Sequence, residues 1–172
     1  MSSELRFDVL VLGGGGAALR AALSACEQGA KTAILSKGEA GKSGATYYSV
    51  AEVGAFNVPD GALDPEDSPE EFYRDMEMAA LGTAQLPLCR ILAEQAESAL
   101  QYLEKISSGT VFAKEDGHFK VYQACFSTRP RSHVVENHFK PILRALREEV
   151  ARRDITVLSG LQAGDLLKED GQ

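Results

Sequence analysis

The sequence predicts an α/β fold built on a parallel sheet, and three consecutive segments near its start carry that prediction. Phe7–Leu12 is apolar apart from Asp8, which is typical of a central strand buried on both faces. Ala17–Gln28 is rich in alanine with leucines one helical turn apart, and Gly29 is placed to cap this helix at its carboxyl end. Lys31–Leu35 is the second strand. Together the segments form a βαβ unit of about 30 residues.

The next segments are predicted from helix-breaking and capping residues. Residues 36–67 lack periodicity and are rich in glycine, serine, aspartate and proline, so we expect a long irregular loop of the kind that is usually functional. Ser68 is the expected N-cap of the following helix, with Pro69 as its first residue and Glu71 as the capping-box acid. Gly82 lies near the expected end of this helix.

Pro87 is predicted to open another helix that continues to Lys105. The apolar side of this helix is expected to comprise Leu88, Leu92, Ala96, Ala99 and Leu103. Asp116-Gly117 lies between the apolar segments Val111-Phe112 and Phe119–Phe126, and this arrangement indicates a β-hairpin.

The last part of the chain is predicted to hold one more helix and two strands. The helix should start near Asn137, because Pro141 then falls in the first turn, where its missing N–H is tolerated. Strands are expected at Ile155–Leu158 and Leu161–Leu167, followed by a tight turn at Asp170-Gly171. The strand that should return after this turn is absent, so we expect a truncated domain.

Composition narrows the functional classes. The chain has 172 residues, of which 44% are hydrophobic and 25% charged, as in ordinary globular domains. A net charge of -7 argues against a nucleic-acid surface, which needs clustered lysine and arginine. Cys26, Cys89 and Cys125 are odd in number and widely spaced, which indicates neither a disulfide framework nor a zinc site. No apolar run approaches the ~20 residues of a membrane span, so we expect a cytoplasmic chain without direct membrane insertion.

The three histidines do not form a recognisable ligand set. His133 and His138 are five residues apart, which does not place them on one helical face, and His118 stands alone. No aspartate or glutamate stands at a spacing that would complete a metal site. We therefore expect solvent-exposed or helix-capping histidines and no metal.

A glycine-rich segment joins the first strand to the first helix. Gly13, Gly15 and Ala18 fit the pattern G-x-G-x-x-[GA] at a strand-to-helix junction. The first glycine permits a tight turn, the second lets a pyrophosphate approach the backbone, and the alanine allows the helix to pack closely on the strand. Free N–H groups and the positive end of the helix dipole would face the phosphates. The motif predicts a Rossmann-like dinucleotide site, in which Gly14 and Gly16 have no separate role.

The end of the second strand does not carry the acidic residue of a simple NAD site. An aspartate or glutamate usually stands there and binds the ribose hydroxyls, whereas this chain has Ser36-Lys37. The hydroxyl of Ser36 is able to bond a ribose, and Lys37 is able to favour a phosphate. A solvated loop explains the same two residues equally well.

The segment "DVLVLGGGGAALRAALSACEQGAKTAILSKGEAGKSGAT" resembles the start of the succinate dehydrogenase, fumarate reductase and L-aspartate oxidase flavoproteins. These begin with a strand, a glycine-rich turn and a second strand that ends in Ser-Lys, followed by a Ser/Thr/Gly/Ala loop. The later segments "EDG", "TRPR" and "VLSGLQAGDLLKEDG" also occur in the order of that family. The resemblance implies a Rossmann-like FAD-binding domain, and FAD rather than free NAD as the cofactor.

The resemblance also implies which residues meet the cofactor. The glycine-rich turn would contact the pyrophosphate, the end of the second strand would lie near the adenosine ribose, and the following loop would lie against the pyrophosphate and the flavin. A backbone position in "LQAGDLL" would meet the adenine. The residues predicted to bind FAD are Gly13, Gly15, Gly16, Ala17, Ala18, Ser36, Lys37, Ser43, Gly44, Ala45, Thr46 and Ala163.

The chain departs from the family pattern in three ways. Gly44 stands where covalently flavinylated members carry histidine, so we expect non-covalent FAD. The family has a Gln-Gly-Gly turn under the flavin, and near that place this chain has Val50, Ala51 and Glu52. Because a buried unpaired carboxylate is costly, either Glu52 points outward or the flavin end of the site is altered. In the family, several parts would follow residue 172: the capping domain, the C-terminal FAD-binding segment, the catalytic arginine and the substrate histidines. Residues 1–172 are therefore expected to form one partial domain, and no catalytic residue is assigned to it.

The resemblance implies an FAD-dependent oxidoreductase that transfers a hydride between FAD and a small dicarboxylate-like substrate, with this chain as its N-terminal FAD-binding part. An electron-transfer subunit or a second chain is an expected partner. We expect at most weak FAD binding and no turnover from the chain alone. Two alternatives stay open: a noncatalytic dinucleotide-binding module, and an NAD(P)-dependent oxidoreductase in which Lys37 binds a phosphate.

Overall fold

The computed structural model describes residues 4–48 and 54–168, which fall into two compact units. Of the described residues, 4–48 and 143–168 belong to the first unit and 54–142 to the second. None of the helices within these ranges is both long and apolar enough to cross a membrane.

The first unit contains the βαβ element that the sequence predicts. Strand β1 (Val9–Leu12), helix α1 (Gly16–Glu27) and strand β2 (Thr32–Ser36) follow one another, and β8 (Ile155–Ser159) pairs with the far edge of β2. All pairings in this sheet are parallel, in the order β1-β2-β8. The α/β fold class with a parallel sheet is therefore confirmed.

Helix α1 packs on β1 and β2 and supplies much of the core of the first unit. Leu19, Leu23 and Ile34 are almost completely buried. Gly29 ends the helix as predicted: its φ is +85°, and its N–H donates to the carbonyl oxygen of Cys26 at 2.9 Å.

The prediction that β1 is buried on both faces is wrong for the described part of the chain. Leu10 and Leu12 are 49% and 50% exposed. Because alternate side chains of a strand point to the same face, the face of β1 that carries both leucines is open within the described residues of this unit.

The second unit contains an antiparallel sheet that the sequence pattern did not reveal. Its strands are β3 (Gly54–Asn57), β6 (Val121–Tyr122) and β7 (Ser132–Val135), arranged in the order β3-β7-β6. Strand β3 lies within residues 36–67, where we expected only irregular structure. The strands are too short for period-two alternation to stand out from the surrounding loop sequence.

The hairpin turn at Asp116-Gly117 is confirmed, although its first strand follows the predicted segment Val111-Phe112 and its second strand is shorter than Phe119–Phe126. Strands β4 (Lys114–Glu115) and β5 (His118–Phe119) pair on either side of the turn. Both turn residues have positive φ, 51° and 83°, as a tight hairpin turn requires.

Helix α2 (Pro69–Ala80) starts as the capping signals predict. The Ser68 hydroxyl accepts a hydrogen bond from the N–H of Glu71 at 3.3 Å, and Pro69 is the first helical residue. The Glu71 carboxylate pairs with Arg74 instead of returning to the cap.

Helix α3 (Leu86–Ser107) buries part of the predicted apolar side, since Ala96 and Leu103 are buried. Leu88 and Leu92 are exposed. The buried residues follow a helical spacing shifted around the axis, and they are Ala93, Ala96, Leu100 and Leu103.

Helix α4 (Lys140–Ala151) keeps Pro141 in its first turn, as predicted. It starts three residues later than Asn137, because Asn137 and His138 have φ of 47° and 57°, outside the right-handed helical region.

The predicted strand at 161–167 is wrong, since this segment is exposed and has no regular structure. The predicted turn at 170–171 lies outside the described residues.

A buried ion cluster stabilises the second unit. Arg131 is 1% exposed; its Nη2 donates to Asp67 Oδ1 at 2.6 Å, and its Nη1 donates to Asp75. Asp75 also accepts from the N–H of Thr128 at 2.9 Å, and the guanidinium lies 5.2 Å from the ring centre of Phe72. Burial by itself would raise the pKa of the Asp75 carboxyl, but hydrogen bonds from Thr128 and Arg131 outweigh burial and hold it below its ordinary value.

Replacing this buried arginine is expected to destabilise the second unit strongly. Arg131→Met keeps much of the side-chain length but leaves two buried carboxylates without their counter-ion, which should reduce the free energy of unfolding by about 3–5 kcal/mol. The matched control is Arg129→Met, because the pair of Arg129 with Asp64 is open to solvent and its loss should change the stability much less. Urea unfolding followed by circular dichroism measures both, and equal losses in the two variants would contradict the assignment.

Candidate dinucleotide-binding site

The turn between β1 and α1 has the backbone geometry that its glycines predict. Gly13 has φ of +123°, a region that residues with a Cβ rarely adopt. Its N–H donates to the carbonyl oxygen of Leu35 on the neighbouring strand at 2.8 Å. Gly13 therefore permits the tight turn expected of the first glycine in the motif.

The start of α1 presents backbone donors that have no partner among the residues that the structure describes. Gly15 is the N-cap and makes no side-chain capping bond, and the first N–H that bonds back is that of Leu19, to the Gly15 carbonyl oxygen at 3.1 Å. Within the described ranges, the N–H groups of residues 14–18 make no hydrogen bond. Unpartnered amides at the positive end of a helix dipole form a site suited to an anion such as a phosphate.

Gly14 has a role that the motif does not predict. A Cβ atom added to Gly14 would lie 2.3 Å from the Ser36 Oγ, 3.0 Å from the Ser43 Oγ and 3.1 Å from the Ala40 Cα. A side chain at this position would therefore push away the loop that follows β2. The run of four consecutive glycines was the sequence signal for this close approach.

The predicted binding loop lies directly against the glycine turn. A Cβ atom at Gly44 would be 3.4 Å from the Gly15 Cα, and one at Gly16 would be 3.2 Å from the Thr46 Oγ1. The N–H of Gly41 donates to the Gly14 carbonyl oxygen at 2.7 Å. The structure thus brings residues 43–46 together with the turn, as the resemblance implies, although their contact with a cofactor stays a prediction.

The two residues at the end of β2 differ in environment. Ser36 is 2% exposed, and its hydroxyl lies beside Gly14. Lys37 is exposed, which is consistent with both the phosphate and the solvated-loop interpretations. The contact of Ser36 and Lys37 with a ribose stays a prediction.

The predicted adenine contact lies at the same end of the sheet. Ala163 is exposed in the irregular segment after β8. The N–H of Leu161 donates to the Ser36 carbonyl oxygen at 3.2 Å, which ties the start of this segment to the end of β2.

The remaining predicted cofactor contacts differ in exposure: Ala17 and Ala45 are exposed, and Ala18 is half-buried. Residues 50–52, expected under the flavin, lie outside the described ranges.

The histidines lie away from this turn in the sequence, and one of them contradicts expectation. His133 is fully buried, with Nδ1 3.1 Å from the Arg131 carbonyl oxygen and Nε2 3.0 Å from Asp60 Oδ2. The expected solvent or capping role is wrong for His133, because this side chain belongs to the core of the second unit. Within the described part of the chain, no group of three or more potential ligands could hold a metal ion.

Comparison with known proteins assigns this architecture. The model of the FAD binding domain family matches residues 8–172. The fumarate reductase (CoM/CoB) subunit of Methanothermobacter marburgensis is 36% identical over 180 residues, which cover 99% of this chain and 31% of the relative. L-aspartate oxidase of Pseudomonas aeruginosa is 31% identical over 179 residues, which cover 98% of this chain and 31% of the relative. The chain therefore spans about a third of the length of these relatives.

Solved structures show the same fold. A Mycobacterium smegmatis Sdh1 complex in the apo form superposes with a TM-score of 0.75 at 25% identity, covering 90% of this chain and 27% of that chain. A quinol fumarate reductase FrdA from E. coli gives a TM-score of 0.76 at 20% identity, covering 90% of this chain and 26% of that chain.

Adding one methyl group at Gly14 tests the close approach of the loop. Gly14→Ala should destabilise the first unit by about 1–3 kcal/mol, because the new Cβ overpacks against Ser36 and the Ala40 backbone. Gly164→Ala is the matched control, since a Cβ there meets nothing within 4 Å. Adding Ser36→Ala to the Gly14→Ala variant removes the nearest atom and should restore part of the loss. Chemical denaturation measures all three, and an unchanged stability of Gly14→Ala would refute the packing role.

Proposed function

The chain belongs to the FAD binding domain family, and from this membership we propose that it is the FAD-binding part of a flavin-dependent oxidoreductase. The proposed reaction of the whole protein is hydride transfer between non-covalent FAD and a small dicarboxylate-like substrate. When bound, the isoalloxazine supplies the redox chemistry, and the protein supplies binding, orientation and electrostatics.

The observation that carries the proposal is the row of N–H groups at residues 14–18, where α1 begins, which have no partner in residues 4–48 and 54–168. A diphosphate needs several donors in one place and little negative charge nearby. The turn offers backbone amides and the helix dipole, and it requires no basic side chain. This explains how a chain with a net charge of -7 is able to bind an anionic cofactor.

The loop after β2 supports the same proposal. Residues 43–46 cover one side of the glycine turn, and their small side chains leave the backbone accessible. Gly44 has φ of +83° and carries no nucleophile, which favours FAD held without a covalent bond. Residues 13–18 and 43–46 would therefore hold the pyrophosphate, with Ser36 and Lys37 near the ribose and Ala163 near the adenine.

The substrate class and the partner are proposed from the relatives. The relatives described above are named fumarate reductase and L-aspartate oxidase. Fumarate is a C4 dicarboxylate and aspartate is its amino counterpart, so both names point to a small dicarboxylate. One relative is named as part of a multi-subunit enzyme, and one structural neighbour is a complex. Both names support an electron-transfer subunit or second chain as a partner of the whole protein.

A charge placed beside the unpartnered amides tests the site without weakening the helix. Ala17→Glu sets a carboxylate at the exposed start of α1, where it favours the helix dipole but repels a diphosphate. We expect a loss of FAD affinity of about fivefold or more, since like charges a few ångströms apart near a protein surface repel by at least about 1 kcal/mol. Ala21→Glu, exposed one turn further along, is the control and should bind FAD like the unaltered chain.

Quenching of flavin fluorescence measures the affinity, and competition with ADP and NADPH separates the alternatives. Displacement of FAD by ADP but not by NADPH supports the proposal. Tight ADP binding without any flavin affinity would replace it with a noncatalytic nucleotide module, and preferential NADPH binding would replace it with a nicotinamide-dependent enzyme. Absence of affinity for all three in folded protein would overturn it.

A further inference from the structure

The loop that covers the glycine turn is itself covered by an arginine of α4. A Cβ atom added to Gly41 would lie 2.0 Å from the Cδ and 2.1 Å from the Cγ of Arg147. The aliphatic stem of Arg147 therefore lies directly on the Cα of Gly41. Gly41 is buried and has φ of +75°, so both its conformation and this contact require glycine.

The charged end of Arg147 reaches the same loop. Its Nη2 donates to the Glu39 Oε1 at 3.1 Å, and the Lys42 Nζ lies 2.8 Å from the same oxygen. The hydrogen bond from Lys42, with the charges of Lys42 and Arg147, lowers the pKa of Glu39. The side chains of Arg147 and Glu39 are 39% and 53% exposed, and an ion pair this open to solvent contributes little to stability.

The residue under the arginine stem is the one that joins the loop to the turn. Gly41 donates its N–H to the Gly14 carbonyl oxygen at 2.7 Å, and the preceding N–H, of Ala40, points to the Ser159 Oγ at 3.5 Å. Displacing Gly41 would therefore move the segment that leads into residues 43–46. Long basic side chains commonly cover apolar surface with their stems while the charge stays in water.

We propose that Arg147 is a positioning residue that holds the 38–46 loop on the glycine turn, and that its apolar stem, more than its charge, has this effect. The consequence for cofactor affinity rests on the proposed function. If only a fraction of the molecules has the loop in place, the apparent dissociation constant for FAD rises in inverse proportion to that fraction.

Three single variants separate the stem from the charge. Arg147→Ala removes both, Arg147→Met keeps a stem of similar length without the charge, and Glu39→Gln removes only the partner charge. Arg144→Ala is the control, because Arg144 lies on the same helix with an 81% exposed side chain and pairs with Glu148. Arg147→Asn, which also lacks the Cδ, repeats the truncation if the alanine variant does not fold.

Two readouts are needed. Hydrogen exchange of the 38–46 segment, measured without FAD, reports the loop directly, and Arg147→Ala should accelerate it by about tenfold as the segment opens locally. Flavin titration should show a rise in the FAD dissociation constant of about fivefold if the ordered fraction falls to a fifth. Arg147→Met, Glu39→Gln and Arg144→Ala should stay within about twofold of the unaltered chain in both.

Unchanged exchange in a folded Arg147→Ala variant would overturn the positioning role. Equal effects of Arg147→Met and Arg147→Ala would overturn the role of the stem and assign it to the charge. Because exchange is measured without cofactor, failure of the unaltered chain to bind FAD would count against the proposed function alone. Faster exchange with unchanged FAD affinity would overturn the link between loop order and binding.

Discussion

The close approach of two backbone segments, the β1–α1 turn and the loop after β2, is the constraint on which the first unit depends. A Cβ on Gly14 would lie 2.3 Å from the Ser36 Oγ at the end of β2 and 3.1 Å from the Ala40 Cα in the loop, so a side chain is disfavoured there. The hydrogen bond from the Gly41 N–H to the Gly14 carbonyl oxygen joins the two segments. The N–H groups at the start of α1 keep no partner within the described residues, because the first turn of a helix has no preceding helical carbonyls to accept from them. The loop is thus held by a carbonyl of the turn, while the donors of the turn stay available for a ligand.

The second unit is stabilised by a different means. Arg131 is held by two carboxylates in a buried cluster, and His133, two residues along the chain, is buried between a backbone carbonyl and Asp60. Such groups are tolerated in a core only when each finds partners. The cluster joins residues distant in the sequence, since Asp67 precedes α2 and Asp75 lies within it, whereas Arg131 directly precedes β7. Ionic contacts between residues distant in the sequence therefore add to the apolar core of this unit, which includes Val58, Val111 and Phe112.

The sequence predicted the elements whose signals are local. The βαβ unit, the Ser68 cap of α2, the Asp116-Gly117 turn and Pro141 in the first turn of α4 all depend on residues a few positions apart.

The structure differs from the sequence-based predictions where burial is decided by distant partners. Leu88 and Leu92 fit a helical stripe with Ala96 as well as Ala93 and Leu100 do, and only the packing of α3 selects the second pair. Strand β7 and the burial of His133 depend on β3, more than seventy residues earlier, and leave no periodic signal. At the candidate site, the sequence does not predict the roles of Gly14 and Arg147, because the spacing of residues within one segment does not indicate how closely another segment approaches it.

The central claim, that a dinucleotide pyrophosphate binds to the amides at the start of α1, is tested most directly by the amide resonances of residues 14–18. In a ¹⁵N-labelled chain titrated with FAD, these resonances are expected to shift first and furthest, and ADP, which carries the diphosphate without the flavin, should reproduce the shifts. Binding of FAD that leaves these five amides unperturbed while resonances elsewhere move would contradict the account.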